Sequence, residues 1–171
     1  MSLLTGSVVK KRIALIGPHG AGKSTLGKKY TLDGYTHIKI GFLARMSRRK
    51  ILPKDIPLRV MFELRKHKPG TILEDSIIVE LMKWINSLDL VVVDGFPSHP
   101  RHLGLIPDPQ NWEVGYVYCP KAIRESRLTE RSLATNRKWT PGLTSERDLS
   151  LVSLIREIKD SKKITFRVMK N

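Results

Sequence analysis

Apolar and polar positions alternate along this chain in two rhythms. Residues 11–16 open with Lys11 and Arg12 and run on through Ile13, Ala14, Leu15 and Ile16, the pattern of a strand buried on both faces. Residues 26–32 read as a helix that stops at the Asp33-Gly34 turn. A short β-branched run over 36–40 predicts a second strand. Residues 41–50 predict a helix with Phe42, Leu43 and Met46 on one side and Arg45, Arg48, Arg49 and Lys50 elsewhere. Pro53 and Pro57 bracket a break, and 58–66 predict the next helix, with Val60, Met61, Phe62 and Leu64.

After the Pro69-Gly70 turn the helical period strengthens. Over 75–87, Ile77, Ile78, Leu81, Met82 and Ile85 fall on one face. Residues 88–93 are the purest strand pattern, closed by Asp94-Gly95-Phe96-Pro97. A short helix is expected at 101–105 and a loop at Pro107 and Pro109. A strand at 113–119 and a helix at 122–131 follow. Residues 132–144 are polar and read as a loop. Ser145-Glu146-Arg147-Asp148 has the form of a capping box, the helix after it extends to about 160, and 163–169 alternate as a last strand.

Strands alternating with helices predict a parallel sheet covered on both faces. A length of 171 residues fits a single domain, 1–171, and no internal repeat or linker divides it. In such a sheet the carboxyl ends of the strands share one edge. The loop after 11–16, Asp94 and the segment after the second strand are therefore expected to converge there.

That first loop is Gly17-Pro18-His19-Gly20-Ala21-Gly22-Lys23-Ser24-Thr25, between a strand and a helix. It fits G-x-x-x-x-G-K-[ST] at Gly17, Gly22, Lys23 and Ser24. Glycines let backbone N–H groups approach phosphate oxygens, and the following helix adds its positive end. Lys23 supplies a point charge to the terminal phosphates and Ser24 a hydroxyl to Mg2+. Asp94 suits the same ion as a strand-end carboxylate; alternatively it only starts a turn with Gly95. A nucleoside triphosphate is the expected ligand of this loop, held by Gly17, His19, Gly20, Ala21, Gly22, Lys23, Ser24 and Thr25.

Composition adds a second clue. Lys and Arg number 31 against 16 Asp and Glu, a net charge of +15. Such a field attracts polyanions, so nucleic acid remains a partner that charge alone permits but does not select. The single cysteine, Cys119, ends an apolar run and reads as core; it leaves no internal disulfide and no cysteine-rich zinc site. No apolar run reaches the roughly 18–20 residues that span a bilayer. Residues 1–7 lack the apolar region of a signal peptide. A cytoplasmic protein, without membrane partner and monomeric, is expected.

Arginines carry the remaining chemistry. Arg45 follows Gly41 by one helical turn and is aimed to bind a second phosphate. Arg127 and Arg131 share a helix face before the polar loop, and Arg137, Arg147 and Arg156 lie in or after it. A transferring phosphoryl group spreads negative charge, so arginines on a closing lid suit it. Each of these side chains is also an ordinary surface cation on its own. His99 and His102 either line a site or occupy the surface of a turn. Trp84 reads as core, and Trp112 and Trp139 as loop residues. The five histidines form no H-E-x-x-H pair, and no G-x-S-x-G occurs.

With these residues in place, the chain resembles the adenylate kinase family of nucleoside monophosphate kinases. The 17–25 loop is similar to that family's phosphate loop. Gly41-Phe42-Leu43-Ala44-Arg45 is similar to its G-D-x-L-R, and Gly70-Thr71-Ile72-Leu73-Glu74-Asp75 to the start of its G-x-L-V-P-D-E helix. Asp94-Gly95-Phe96-Pro97 matches its D-G-F-P, Arg127-Leu128-Thr129-Glu130-Arg131 its R-L-x-x-R, and Arg147-Asp148 the start of the motif after its lid. The chain departs at Ile40, Phe42 and Ser98, where the family has Thr, Asp and Arg. His102 lies near the place of its adenine-reading Gln.

The resemblance implies a three-layer α/β/α P-loop kinase fold with a central parallel five-stranded sheet. Residues 41–75 would form an acceptor-binding segment and 132–144 a short lid without zinc. It implies Mg2+ at Ser24 and Asp94, and an acceptor site at Gly41, Arg45, Leu73, Gly95 and Arg101, with Arg101 standing in for the arginine absent at Ser98. Lys23, Arg127, Arg131 and Arg147 would be catalytic. The expected function is transfer of the γ-phosphate of ATP to a nucleoside monophosphate. Two alternatives stay open: a kinase for another small metabolite or a polynucleotide end, and an ATP-binding module that works with RNA or protein.

Overall fold

A computed structural model describes residues 11–140 and 146–171, for 146 and 147 the backbone alone. Five parallel strands form one sheet in the order β2-β3-β1-β4-β5. They are β1 (Lys11–Ile16), β2 (Thr36–Lys39), β3 (Leu90–Asp94), β4 (Trp112–Tyr118) and β5 (Thr165–Lys170). The helices are α1 (Lys23–Tyr30), α2 (Ile40–Arg48), α3 (Leu58–Lys66), α4 (Asp75–Asn86), α5 (Lys121–Ala134), α6 (Glu146–Leu149) and α7 (Leu151–Ser161).

Period-two alternation in β1 separates the two cores. Ala14 and Ile16 face Ile38, Val91, Val93 and Val114 together with the apolar stripes of α2, α3, α4 and α7. Ile13 and Leu15 face the other way, onto Val92, Val117, Cys119 and, from α1, Leu26 and Tyr30. Ile78, Leu81 and Ile85 of α4 are fully buried, each stabilising the fold by about 1.5–3 kcal/mol through area removed from water. Cys119 is a core residue, as its apolar context suggests. Among the described residues no helix is long and apolar enough to cross a membrane.

β1 lies at the centre because its crossover through α1 skips one position, leaving room for β3 between β1 and β2. The path out of β3 then turns to the other side of β1. This reversal opens a crevice beyond the carboxyl ends of β1 and β3, where open α/β sheets bind ligands. Register makes the point concrete: Leu15 pairs with Asp94, so the carboxylate stands level with the start of the glycine loop.

Several expectations shift. Helix α1 begins at Lys23 and not at 26, because Gly22 adopts a left-handed φ of 97° and turns the chain inside the motif. Trp112 is not a loop residue. It begins β4 opposite Arg12, is 2% exposed and meets Phe96 edge-on with ring centroids 5.9 Å apart. The short helix expected at 101–105 is a 3-10 helix, Pro100–Leu105. The long helix expected after the polar loop divides at Ser150 into α6 and α7. Phe42 does not share the buried side of α2 with Leu43; it is 44% exposed, with Lys39 Nζ 4.9 Å from its ring centroid. Four lid residues, 141–144, and Ser145 of the expected capping box lie outside the described residues.

Candidate active site

Gly17 leaves β1 with its Cα so close to β4 that a Cβ there would sit 2.7 Å from the Val117 carbonyl oxygen. Gly20 likewise passes against α5, where a Cβ would come within 2.9 Å of the Arg124 carbonyl, and its φ is 79°. The loop is thus clamped by backbone on both sides, and only glycine fits at these two points. The first turn of α1 follows directly, so the amides of Lys23, Ser24 and Thr25 lie at a helix N-terminus, suited to anionic oxygens.

Lys23 Nζ donates to the carbonyls of Gly17 and Pro18 at 2.7 and 2.9 Å. Ser24 Oγ donates to Asp94 Oδ2 across the crevice. This hydroxyl–carboxylate pair, beside a phosphate-binding loop, is an oxygen donor set that fits Mg2+, which takes one or two carboxylates and completes its shell with phosphates and water. Among the described residues no group of three or more His, Cys, Asp or Glu is placed to hold a metal ion.

The loop forms one wall of a cleft of about 900 Å³. Lys39, Gly41, Phe42, Ala44, Arg45 and Arg48 face it from the end of β2 and from α2, with His67, Pro69 and Gly70 beside them. Gly95 and Ser98 line the floor; Arg127, Arg131, Arg137 and Lys138 line the side formed by α5 and the chain after it. Eight Lys or Arg side chains (Lys23, Lys39, Arg45, Arg48, Arg127, Arg131, Arg137, Lys138) thereby meet two carboxylates, Asp94 and Asp148. Asp94 is bonded to Ser24, and Asp148 Oδ2 lies 3.0 Å from His19 Nδ1. Burial raises the Asp148 carboxyl, but the His19 hydrogen bond and charge, with Lys23 nearby, hold it below its ordinary value.

The arginines are correspondingly strained. Burial first, then Arg137, Arg131, Arg48 and Arg49, lowers the Arg45 guanidinium to about 10. Burial and Arg137 also lower Arg131. No carboxylate pairs with Arg45, Arg131 or Arg137 among the described residues. Arg127 Nη1 reaches the Gly20 and Ala21 carbonyls at 3.4 and 3.5 Å and so lies against the loop.

Not every expected residue joins this cleft. Ala21 is buried under the loop. Leu73 is fully buried, and only its carbonyl is engaged, by Arg101 Nη2 at 2.9 Å and by His102 Nε2 at 3.1 Å. Arg101 also lies 3.4 Å from Asp75 and is not among the lining residues. His102 is fully buried, accepts from the Ser98 amide at Nδ1 (3.1 Å), and stacks on Phe96. Burial lowers its imidazole to about 4, with the nearby Arg101 and His99 pushing the same way and the Leu73 carbonyl opposing them. His102 is therefore a structural post for the turn and offers no ring nitrogen to a ligand. The Arg147 side chain lies outside the described residues.

No family model matches the chain. Over 98 residues, 56% of its length, it is 28% identical to adenylate kinase 9 of Mus musculus, and the matched stretch is 5% of that protein. A crystal structure of a gluconokinase from Sinorhizobium meliloti 1021 superposes with a TM-score of 0.51 at 16% identity, covering 95% of this chain and 83% of that one. The chain has the P-loop kinase fold. In sequence it is adenylate kinase-like.

Within that fold, several lining residues escaped the sequence reading. Lys138 lies in a polar stretch with no period to orient it, whereas its neighbour Arg137, a lid arginine by sequence, does line the cleft. Lys39 ended a strand, and His67 followed a helix. Its Nδ1 lies 3.0 Å from Glu74 Oε2, seven positions on, a spacing that matches no local motif. Asp148 reads in sequence as part of a capping box and of the motif after the lid, and its partner His19 is 129 positions away.

Proposed function

We propose that this chain is a phosphotransferase that moves the γ-phosphate of ATP to a nucleoside monophosphate. The observation that carries the reading is one cleft with the glycine loop on one side and, on the other, Arg45, Arg131 and Arg137, which have no carboxylate partner among the described residues. A triphosphate on the loop amides would draw Lys23 Nζ off the Gly17 and Pro18 carbonyls onto its terminal phosphates. Ser24 and Asp94 would hold Mg2+, which supplies charge neutralisation on the phosphate oxygens. Arg45 would grip the acceptor's phosphate in a bidentate pair, and Arg127 and Arg131, with Arg147, would bear on the transferring group. An acceptor phosphate oxygen is already nucleophilic, so the protein supplies no base. The two lining carboxylates, bonded to Ser24 and His19, agree with that.

ADP production with AMP, CMP, UMP, GMP and dTMP tests the reading. At least one acceptor is expected to raise the rate well above ATP hydrolysis alone; uniform background rates would refute it.

A second reading rests on His67. Its ring lines the cleft and is oriented by Glu74, an arrangement that could accept a proton from a hydroxyl acceptor. The gluconokinase likeness is one of fold only. Phosphorylation of gluconate or a similar polyol, with none of any monophosphate, would select this reading.

A further inference from the structure

We propose that Arg137, in the segment after α5, supplies the second guanidinium that holds the acceptor's phosphate opposite Arg45. The proposal rests on the phosphate-acceptor reading above and adds a residue to that site.

The floor of the cleft next to the donor wall carries no cation. Position 98, at the end of the Asp94-Gly95-Phe96-Pro97 turn, presents a hydroxyl, and Ser98 Oγ is buried without a hydrogen-bond partner. The nearest guanidinium along the chain, Arg101, is turned to Leu73 and Asp75 and does not line the cleft. Arg45 therefore has no cationic companion from the floor. A dianionic phosphate held by one guanidinium keeps unpaired oxygens, and each costs affinity in a partly dry site.

Arg137 meets that need from the other side. It lines the same cleft as Arg45 and Arg131. Its place is set by the end of α5. The Thr135 hydroxyl donates to the Arg131 carbonyl at 2.7 Å and accepts from the Arg137 amide at 3.3 Å. This hook ties the chain after the helix to its last turn, and Arg131 and Arg137 both line the cleft. The Arg137 charge bears on both Arg45 and Arg131, placing the three guanidiniums in one electrostatic neighbourhood. No carboxylate among the described residues relieves them, and an anion between them would. A phosphate in that position is held jointly by α2 and by the chain after α5.

Steady-state kinetics with the full chain, MgATP and the best acceptor of the five monophosphates test this. Arg137→Ala is expected to raise the acceptor KM by roughly 10- to 100-fold while the ATP KM moves less than about threefold. Arg137→Lys, which keeps the charge but not the fork, is expected to lose several-fold. Adding Ser98→Arg to Arg137→Ala should recover part of the loss, because it returns a guanidinium to the floor. Arg65→Ala, an exposed arginine of α3 away from the cleft, controls for net charge. Should Arg137→Ala not fold, judged by its melting curve and ATP KM, Arg137→Lys carries the test. The proposal is overturned if the acceptor KM is unmoved, if the ATP KM rises as much, if only kcat falls, or if Arg101→Ala and not Arg137→Ala produces the loss. If the wild-type chain phosphorylates no monophosphate, the phosphate-acceptor reading fails and this proposal with it. If wild type works and Arg137→Ala binds its acceptor normally, only this proposal fails.

Discussion

The loop of residues 17–25 and the segment from Lys39 to Arg48 face one cleft but are held by different means. The loop is fixed by backbone: Gly17 lies against the Val117 carbonyl, Gly20 against that of Arg124, and the first turn of α1 follows at once. Its anion-binding groups are amides, which no side-chain substitution removes. The opposite wall is fixed by side chains from separate elements. Arg45 belongs to α2, Arg131 to α5 and Arg137 to the chain beyond, and they meet only because the sheet brings those elements together. A backbone wall tolerates little variation and suits one chemical group, a polyphosphate. A side-chain wall can be re-aimed by single changes, such as Ser98 with Arg101 turned away, so under the proposed function donor and acceptor specificity would be separable.

Breaking the donor wall should give the largest effect. Lys23→Ala is expected to lower kcat by about 10²–10³-fold, since it removes the loop's own ammonium from the terminal phosphates. Single-turnover rates check this; a loss under tenfold would mean that the loop's amides suffice. On the other wall, Arg45→Ala is expected to raise the acceptor KM by roughly 10- to 100-fold with the ATP KM nearly constant. Parallel rises in both constants would show that the walls are not separable.

Asp94→Ala is expected to raise the Mg2+ concentration for half-maximal rate by about tenfold, while Ser24 and the nucleotide still hold the ion. An unchanged Mg2+ profile would reduce Asp94 to a turn residue.

The smallest effect concerns the post under the acceptor floor. His102 is lowered to about 4 in the fold, against 6.5 as an ordinary imidazole, so the unfolded chain binds a proton first as pH falls. Its contribution is fully present above about pH 6.5 and is lost as pH falls toward 4, amounting to about 1 kcal/mol between pH 7 and pH 5.5. Burial lowers His37 too, and its acid sensitivity has the same sign. Urea melts at the two pH values, repeated on His102→Gln, separate the shares. An equally steep pH response in the variant would remove His102 from the account.

Much of the fold was legible because its signals are local. The five strands, and helices such as α3 and α4, follow from continuous apolar runs and 3.6-residue stripes, which report burial regardless of the neighbour. The glycine loop was legible for the same reason: its geometry is encoded in nine consecutive residues. Trp112 was misjudged as a loop residue because the strand's first position is set by pairing with Arg12, not by its own neighbours. Phe42 was misjudged because a helical stripe predicts which side is apolar, not whether anything covers it. Its face opens on the cleft, where Lys39 sits against the ring.

The sequence by itself determined that a glycine loop of the phosphate-binding pattern joins a buried strand to a helix, and that Asp94 ends a strand in the same sheet. Short-range geometry suffices for the first, and the βα alternation for the second. Only the tertiary structure decided that Leu15 and Asp94 are level, that Arg101 turns to Leu73 and Asp75, and that Arg137 enters the cleft. Those facts depend on register, burial and charges separated by dozens of positions. An arginine's chemistry can be read from its letter, but its partner is set by what the fold places around it.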